Sequence, residues 1–152
     1  METLWSDAHQ QYLCYDRVTK ALIDSPSVGG LIPAFAPIAP NRAAAIAAHI
    51  DELGNRVTYL IPSHDPDAPG YNGERYWRGP AWLIVNYMVA DGLERDGHTA
   101  TAERIVADSL KLIEVGGFSE YFDPMTGAPC GGPEFTWTAA MVLEFLKRDP
   151  VG

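Results

Sequence analysis

Apolar positions recur at three- and four-residue spacings in four stretches of this chain, with glycine, proline and aspartate concentrated between them. This pattern predicts helices joined by long loops. In the first stretch Ile46, Ile50 and Leu53 share one helical face. Asn41 is placed to cap the start of that helix and Gly54 to stop it. Ala43, Ala44, Ala45, Ala47 and Ala48 raise its helix propensity and permit close packing. The second helix opens at Pro80, where a first-turn proline belongs, and runs to about Asp91. Gly92 and Gly97 lie near its end, and Trp82, Asn86 and Val89 fall on one face. The third runs from about Thr99 to Val115 on the stripe Ala102, Ile105, Val106, Leu110 and Ile113, and Gly116-Gly117 ends it. The last, about Thr136 to Lys147, is apolar nearly all round, with Trp137, Ala139, Met141, Val142, Leu143, Phe145 and Leu146. Such a helix is expected to be buried on every side.

The remaining segments carry weaker patterns. From Leu4 to Ile23 the run Gln11 to Asp16 alternates weakly, which predicts a short helix followed by a small β-hairpin. Ser27 to Pro37, apolar but studded with glycine and proline, predicts a packed loop with one short helical turn. Ile61 to Glu74 and Phe118 to Phe135 are read as long loops. The expected fold class is therefore all-α, built of antiparallel helical hairpins with a small β-hairpin near the N-terminus. There is no internal boundary and no strict repeat.

Composition narrows the function classes. The chain has 152 residues, 47% hydrophobic and 20% charged, enough for one domain with a real core. A formal net charge of -9 argues against nucleic acid or an anionic membrane as partner, because both recruit basic faces. No apolar run reaches transmembrane length. The first residues lack the basic and apolar regions of a signal peptide. Cys14 and Cys130 fit no metal or redox spacing, so free thiols in a cytoplasmic protein are expected.

Candidate chemistry concentrates in two loops, Arg75-Tyr76-Trp77-Arg78-Gly79-Pro80-Ala81-Trp82 and Gly116-Gly117-Phe118-Ser119-Glu120-Tyr121-Phe122-Asp123-Pro124. Flat aromatic rings beside charged hydrogen-bonding groups suit sugar faces. Tyr76, Trp77, Trp82, Tyr121 and Phe122 supply the rings, although Trp82 on a helix face reads equally well as core. Glu120, in an aromatic, glycine-bounded loop, suits a general base that activates water; the alternative is a Glu paired with Arg78. The planar fork of Arg78 fits a carboxylate, either Glu120 or an acid group on a substrate. Asn86 needs a partner if it is buried. Asp123, before a proline, reads as a turn residue. Glu134, just before the last helix, either lines the site or favours the helix N-terminus. No cofactor or metal is expected. Asp65, Asp67, Asn72 and Glu74 depart from a calcium loop at Pro66 and Pro69, and the four histidines lack zinc spacing.

Taken in order, Tyr76-Trp77-Arg78-Gly79-Pro80-Ala81-Trp82, Asn86-Tyr87, Gly92-Leu93, Gly117 through Pro124, Thr126-Gly127 and Phe135 through Ala140 resemble glycoside hydrolase family 63. The similarity is greatest to its mannosylglycerate and glucosylglycerate hydrolases, with trehalases and processing glucosidases more distant. Leu4-Trp5, Tyr12 through Asp16 and Ser27 through Phe35 extend the resemblance to nearly the whole chain. It implies that residues 1 to 152 are the C-terminal portion of an (α/α)6 barrel, six inner helices ringed by six outer ones. The implied activity is inverting hydrolysis of small α-glucosides or α-mannosides such as mannosylglycerate, glucosylglycerate or trehalose-like sugars. By the same resemblance Glu120 matches the general base. Tyr76, Trp77, Gly79 and Trp82 match positions lining the sugar pocket, Arg78 belongs to the same motif, and Tyr121 and Glu134 lie beside it. The family's general acid, an aspartate of the N-terminal half, has no matching segment. The expectation is therefore a chain with the base half of the site, completed by a complementary N-terminal chain. The rival expectations are a non-catalytic sugar-binding fragment, or one that self-associates through bare helix faces.

Overall fold

The structure, a computed structural model, describes residues 2–148. Four α-helices carry the fold: α1 (Pro40–Leu53), α2 (Leu83–Arg95), α3 (Thr99–Gly116) and α4 (Thr136–Arg148). Three two-stranded antiparallel hairpins accompany them. β1 (Trp5–Ser6) pairs with β2 (Gln11–Tyr12), β3 (Tyr15–Asp16) with β4 (Ala21–Leu22), and β5 (Tyr121–Phe122) with β6 (Pro129–Cys130). The N-terminal segment thus holds a 3-10 turn and two hairpins where one hairpin was expected. The loop after α3 holds a third that weak two-residue pairing could not announce. Two further 3-10 turns, Val28–Gly30 and Ile32–Phe35, supply the helical turn anticipated between Ser27 and Pro37.

The helix ends differ from expectation in instructive ways. α1 starts at Pro40, whose fixed φ suits a first turn, so Ala39 is the N-cap and Asn41 lies inside the helix without capping it. Gly54 does follow the helix, but in a right-handed conformation. α2 starts three residues after Pro80, because residues 80–82 are drawn into extended pairing. Ala81 bridges both Pro62 and Phe122, and Trp82 is the extended N-cap. Gly92 lies within α2, where the backbone of Ala34 packs directly against it and leaves no room for a Cβ. It is a contact glycine rather than a terminator.

α2 is the centre of the molecule. Its Val85, Val89, Ala90 and Leu93 join Ile46 and Ile50 of α1, Ala102 and Ile105 of α3, Leu31 between the two later 3-10 turns and Ala34 of the second of these in the main core. Asn86, fully buried, is the polar centre of that packing. Its Nδ2 donates to the Leu60 carbonyl (2.8 Å) and Ser109 Oγ (2.8 Å), and its Oδ1 accepts from Ile61 N (3.1 Å). The partner demanded by burial is thus present three times over. α3 is rolled relative to the expected stripe: Thr101, Ala102, Ile105, Ser109 and Leu112 are buried, while Val106, Leu110 and Ile113 are half-buried. Ser109 and Thr101 face inward because Asn86 and Asp51 receive them.

α4 departs most from expectation. Only Thr138 and Phe145 are buried, and Leu143 and Leu146 are 63% and 52% exposed. One side of α4 packs on α2 and more lightly on α3, with Phe145, Leu112, Leu83, Phe122 and Ala81 forming a second small core. Among the described residues nothing covers the opposite side, so an all-apolar sequence does not by itself bury a helix. Among the described residues no helix is long and apolar enough to cross a membrane.

Candidate active site

The two loops singled out from sequence meet at one end of the helices. Ala81 N donates to the Phe122 carbonyl (2.8 Å) and Phe122 N to the Ala81 carbonyl (3.1 Å), which fastens the start of α2 to β5. The same end receives the C-terminus of α3 and the N-terminus of α4. Phe135 N donates to the Phe118 carbonyl (2.7 Å) and Thr138 Oγ1 to the Ser119 carbonyl (2.7 Å), so α4 pins the two residues that lead into Glu120.

Three rings form a continuous stack. Trp77 lies on Trp82 with centroids 4.2 Å apart and planes 11° from parallel, and Trp82 lies on Tyr121 at 4.7 Å and 27°. Tyr76 meets Trp82 and Tyr121 edge-on, at 5.1 and 5.6 Å. Trp82 is 3% exposed and Trp77 44%, so Trp82 is both core and the support of an open aromatic face. Trp82 Nε1 donates to the Tyr76 carbonyl (3.0 Å), fixing Tyr76 at a φ of 41°, a left-handed conformation uncommon for a bulky residue. Burial, and next the Glu120 carboxylate, push the Tyr121 phenol above its ordinary value, so it remains a neutral donor at neutral pH.

Glu120 is half-buried in a small crevice lined by Trp82, Ile84, Phe135 and Trp137. Its backbone N donates to the Gly132 carbonyl (3.0 Å), and its Oε2 accepts weakly from Gly132 N (3.4 Å). Gly131, at a φ of 73°, passes so close that a Cβ there would lie 2.5 Å from Glu120 Oε2 and 2.8 Å from the Tyr121 ring. Glycine is therefore required on steric and on conformational grounds.

The other expected site residues are placed as follows. Arg78 Nε donates to the Gly70 carbonyl (2.9 Å), and no ion pair joins Arg78 to Glu120 among the described residues. Gly79 is buried, donates to Ser63 Oγ (3.0 Å), and lets the backbone at Asn72 and Gly73 cross above it. Glu134 is exposed beside Phe135 at a φ of 54°. Asp123 makes the expected turn, its Oδ1 accepting from Met125 N (2.7 Å) and Thr126 N (3.0 Å). Asp65 and Asp67 pair with Arg56. No group of three or more His, Cys, Asp or Glu side chains is arranged to hold a metal among the described residues. Burial, then Glu74 and Asp123, push the Cys130 thiol up, which makes it a poor nucleophile. Sequence reasoning missed Phe135 and Trp137 as walls of the Glu120 crevice, because Trp137 was absorbed into a helix expected to be wholly buried. Its place one turn from the glycine-rich loop was the available signal.

A stacked aromatic face beside a half-buried carboxylate, both at one end of paired helices, suits the binding of a sugar. Residues 1–138 match the profile of the mannosylglycerate hydrolase MGH1-like glycoside hydrolase domain, and the chain belongs to that family. A mannosylglycerate hydrolase of Selaginella moellendorffii is 42% identical over 148 residues, 97% of this chain and 30% of the relative. The family 63 mannosylglycerate hydrolase of Thermus thermophilus, solved in complex with glucose, is 41% identical with a TM-score of 0.91, covering 97% of this chain and 37% of that one. The same hydrolase has been solved with Tris and D-glycerate. Neutral trehalase of Saccharomyces cerevisiae, 15% identical with a TM-score of 0.74, covers 99% of this chain and 28% of that one, and shares the fold. The chain thus spans about a third of the length of these relatives.

Proposed function

We propose that residues 1–152 are the C-terminal portion of an (α/α)6-barrel glycoside hydrolase and carry the general-base half of an inverting site. The substrates are small α-mannosides or α-glucosides such as mannosylglycerate, glucosylglycerate or trehalose-like sugars. In this reading the sugar lies against the open Trp77–Trp82–Tyr121 stack, with Tyr76, Arg78 and Glu134 on the rim and Gly79 shaping the loop beneath. Glu120 takes a proton from a water as that water attacks the anomeric carbon, and the configuration inverts. A carboxylic acid outside this chain protonates the departing oxygen from the opposite side, about 6.5–9.5 Å from Glu120. The observation that carries the reading is the Ala81–Phe122 pairing, which joins the stacked rings to the Glu120 loop. The 41% identity and TM-score of 0.91 to a family 63 hydrolase support the substrate class.

The test is reconstitution. Mixing this chain with the N-terminal half of a mannosylglycerate hydrolase is expected to release mannose or glucose with inverted anomeric configuration, seen by proton NMR at early times. Retention of configuration, or full activity of the mixture with Glu120→Gln, overturns the assignment. A second reading, an assembly or carbohydrate-binding fragment without turnover, is favoured by the exposed apolar side of α4. It requires sugar binding that survives Glu120→Gln, or self-association, with no hydrolysis in any pairing.

A further inference from the structure

The Glu120 carboxylate does little to hold itself in place. Among the described residues its one hydrogen bond is the weak contact from Gly132 N (3.4 Å). A reacting group must be held within about 0.5 Å of its working position, so the backbone beneath the side chain has to supply the constraint.

That backbone is not dictated by the helix before it. α3 ends at Gly116, and Gly117 follows at a φ of 66°. On the far side, Phe122 is anchored by its pairing with Ala81. Between these points three bonds hold residues 118–120. The Phe118 carbonyl accepts from Phe135 N (2.7 Å), the Ser119 carbonyl from Thr138 Oγ1 (2.7 Å), and Glu120 N donates to the Gly132 carbonyl (3.0 Å). The last two grip opposite ends of one planar group, because the Ser119 carbonyl and the Glu120 N–H belong to the same peptide unit. Fixing both ends sets the rotation of that plane, and with it the direction in which the Glu120 side chain leaves the chain.

Thr138 is the side chain that reaches this peptide from another element. It is the third residue of α4, is 3% exposed, and lines the Glu120 crevice. A helical serine or threonine commonly returns its hydroxyl to a carbonyl one turn earlier, as Ser109 does to Ile105 (2.7 Å). Thr138 instead crosses nineteen positions to Ser119. A valine has the same shape without the polar atom, so packing alone does not call for a hydroxyl there.

We propose that Thr138 is a positioning residue for Glu120: with the Gly132 carbonyl, its hydroxyl clamps the Ser119–Glu120 peptide and aims the carboxylate into the crevice. Its effect on turnover rests on the reading of Glu120 as the base, whereas its effect on the loop does not. The first measurement uses the full chain, isotope-labelled, with amide hydrogen exchange followed by NMR. Thr138→Val is expected to quicken exchange at the Glu120 and Phe135 amides about ten-fold more than at the core residues Val89 and Ile105, the difference made by one net hydrogen bond. Thr138→Ser keeps the hydroxyl and should leave the original pattern. Thr138→Ala, with room for a water at the Ser119 carbonyl, takes the place of the valine variant if that one fails to fold. The second measurement is turnover of the reconstituted hydrolase. There Thr138→Val should lower kcat about 10- to 100-fold with KM little changed, and Thr138→Ser should restore it. Uniform quickening at all four amides, equal losses with serine and valine, or a rise in KM alone overturns the proposal. Absence of hydrolysis in the unsubstituted mixture counts instead against Glu120 as the base, and the exchange pattern still decides whether Thr138 sets the loop.

Discussion

α2 and α4 are both thirteen residues long, both apolar in large part, and both start at the end of the molecule that holds the aromatic stack and Glu120. α2 buries Leu83, Val85, Asn86, Val89, Ala90, Gly92 and Leu93, with α1, α3, α4 and a 3-10 turn around it. α4 buries two residues, and its Leu143 and Leu146 stand in the open. Its bound side is fixed at both ends: Thr138 bonds the Ser119 carbonyl near the site, and Arg148 reaches Asp91 (2.6 Å) and Glu94 (3.0 Å) on α2. Burial is thus a property of neighbours rather than of composition. The contrast places an open apolar side of the described residues along α4, next to the crevice that holds Glu120.

Substitutions divide along the same line. The largest effect is expected at the shared end. Glu120→Gln in a reconstituted hydrolase should lower kcat by about 1,000-fold with a small change in KM, as for loss of a general base. On the bound side of α4, Phe145→Ala should cost about 3–5 kcal/mol in urea unfolding, because the ring is fully enclosed against Leu112, Phe122 and Tyr87. In α2, Asn86→Leu keeps the branched shape of the side chain but leaves the Ile61 amide and Leu60 carbonyl unmatched. A loss of about 2–3 kcal/mol is expected, with hydrogen exchange quickening first at Ile61.

His49, on α1 beside the main core, gives a pH-dependent version of the same comparison. Its folded value is depressed by burial, so its contribution is complete above about 6.5 and disappears as pH falls through the folded value. A plot of Tm against pH should therefore decline on the acid side of 6.5, and His49→Asn should flatten that decline. The smallest effect is expected on the open side of α4. Leu143→Ser should change the stability of the isolated chain by no more than about 0.5 kcal/mol. The same substitution should weaken pairing with a complementary half, or self-association, in sedimentation. A loss of several kcal/mol in the isolated chain would mean that Leu143 is enclosed and would erase the contrast with α2.

Much of this was legible in the residues. Ile46, Ile50 and Leu53 gave the inward face of α1, and Asn86 announced a buried polar partner that proved to be Leu60, Ile61 and Ser109 together. The two aromatic loops were visible as candidate chemistry before any contact between them was known. Other features were beyond local pattern. Pro80 looked like a helix start, but pairing of Ala81 with Phe122, forty-one positions away, keeps residues 80–82 extended. Gly92 looked like a terminator, but the Ala34 backbone explains it. Trp137 looked like core and instead borders the Glu120 crevice.

The sequence by itself determined the four helices, their approximate ends, and the residue types that give two loops a chemistry of rings and a carboxylate. It could do so because helix periodicity, glycine and proline act over a few residues. Only the tertiary structure decided that Trp77, Trp82 and Tyr121 form one stack, that Gly131 lies against Glu120, and that α2 is enclosed while α4 is open. Those outcomes depend on contacts between residues far apart in the chain, and an apolar side chain carries no mark of which neighbour, or whether any, will cover it.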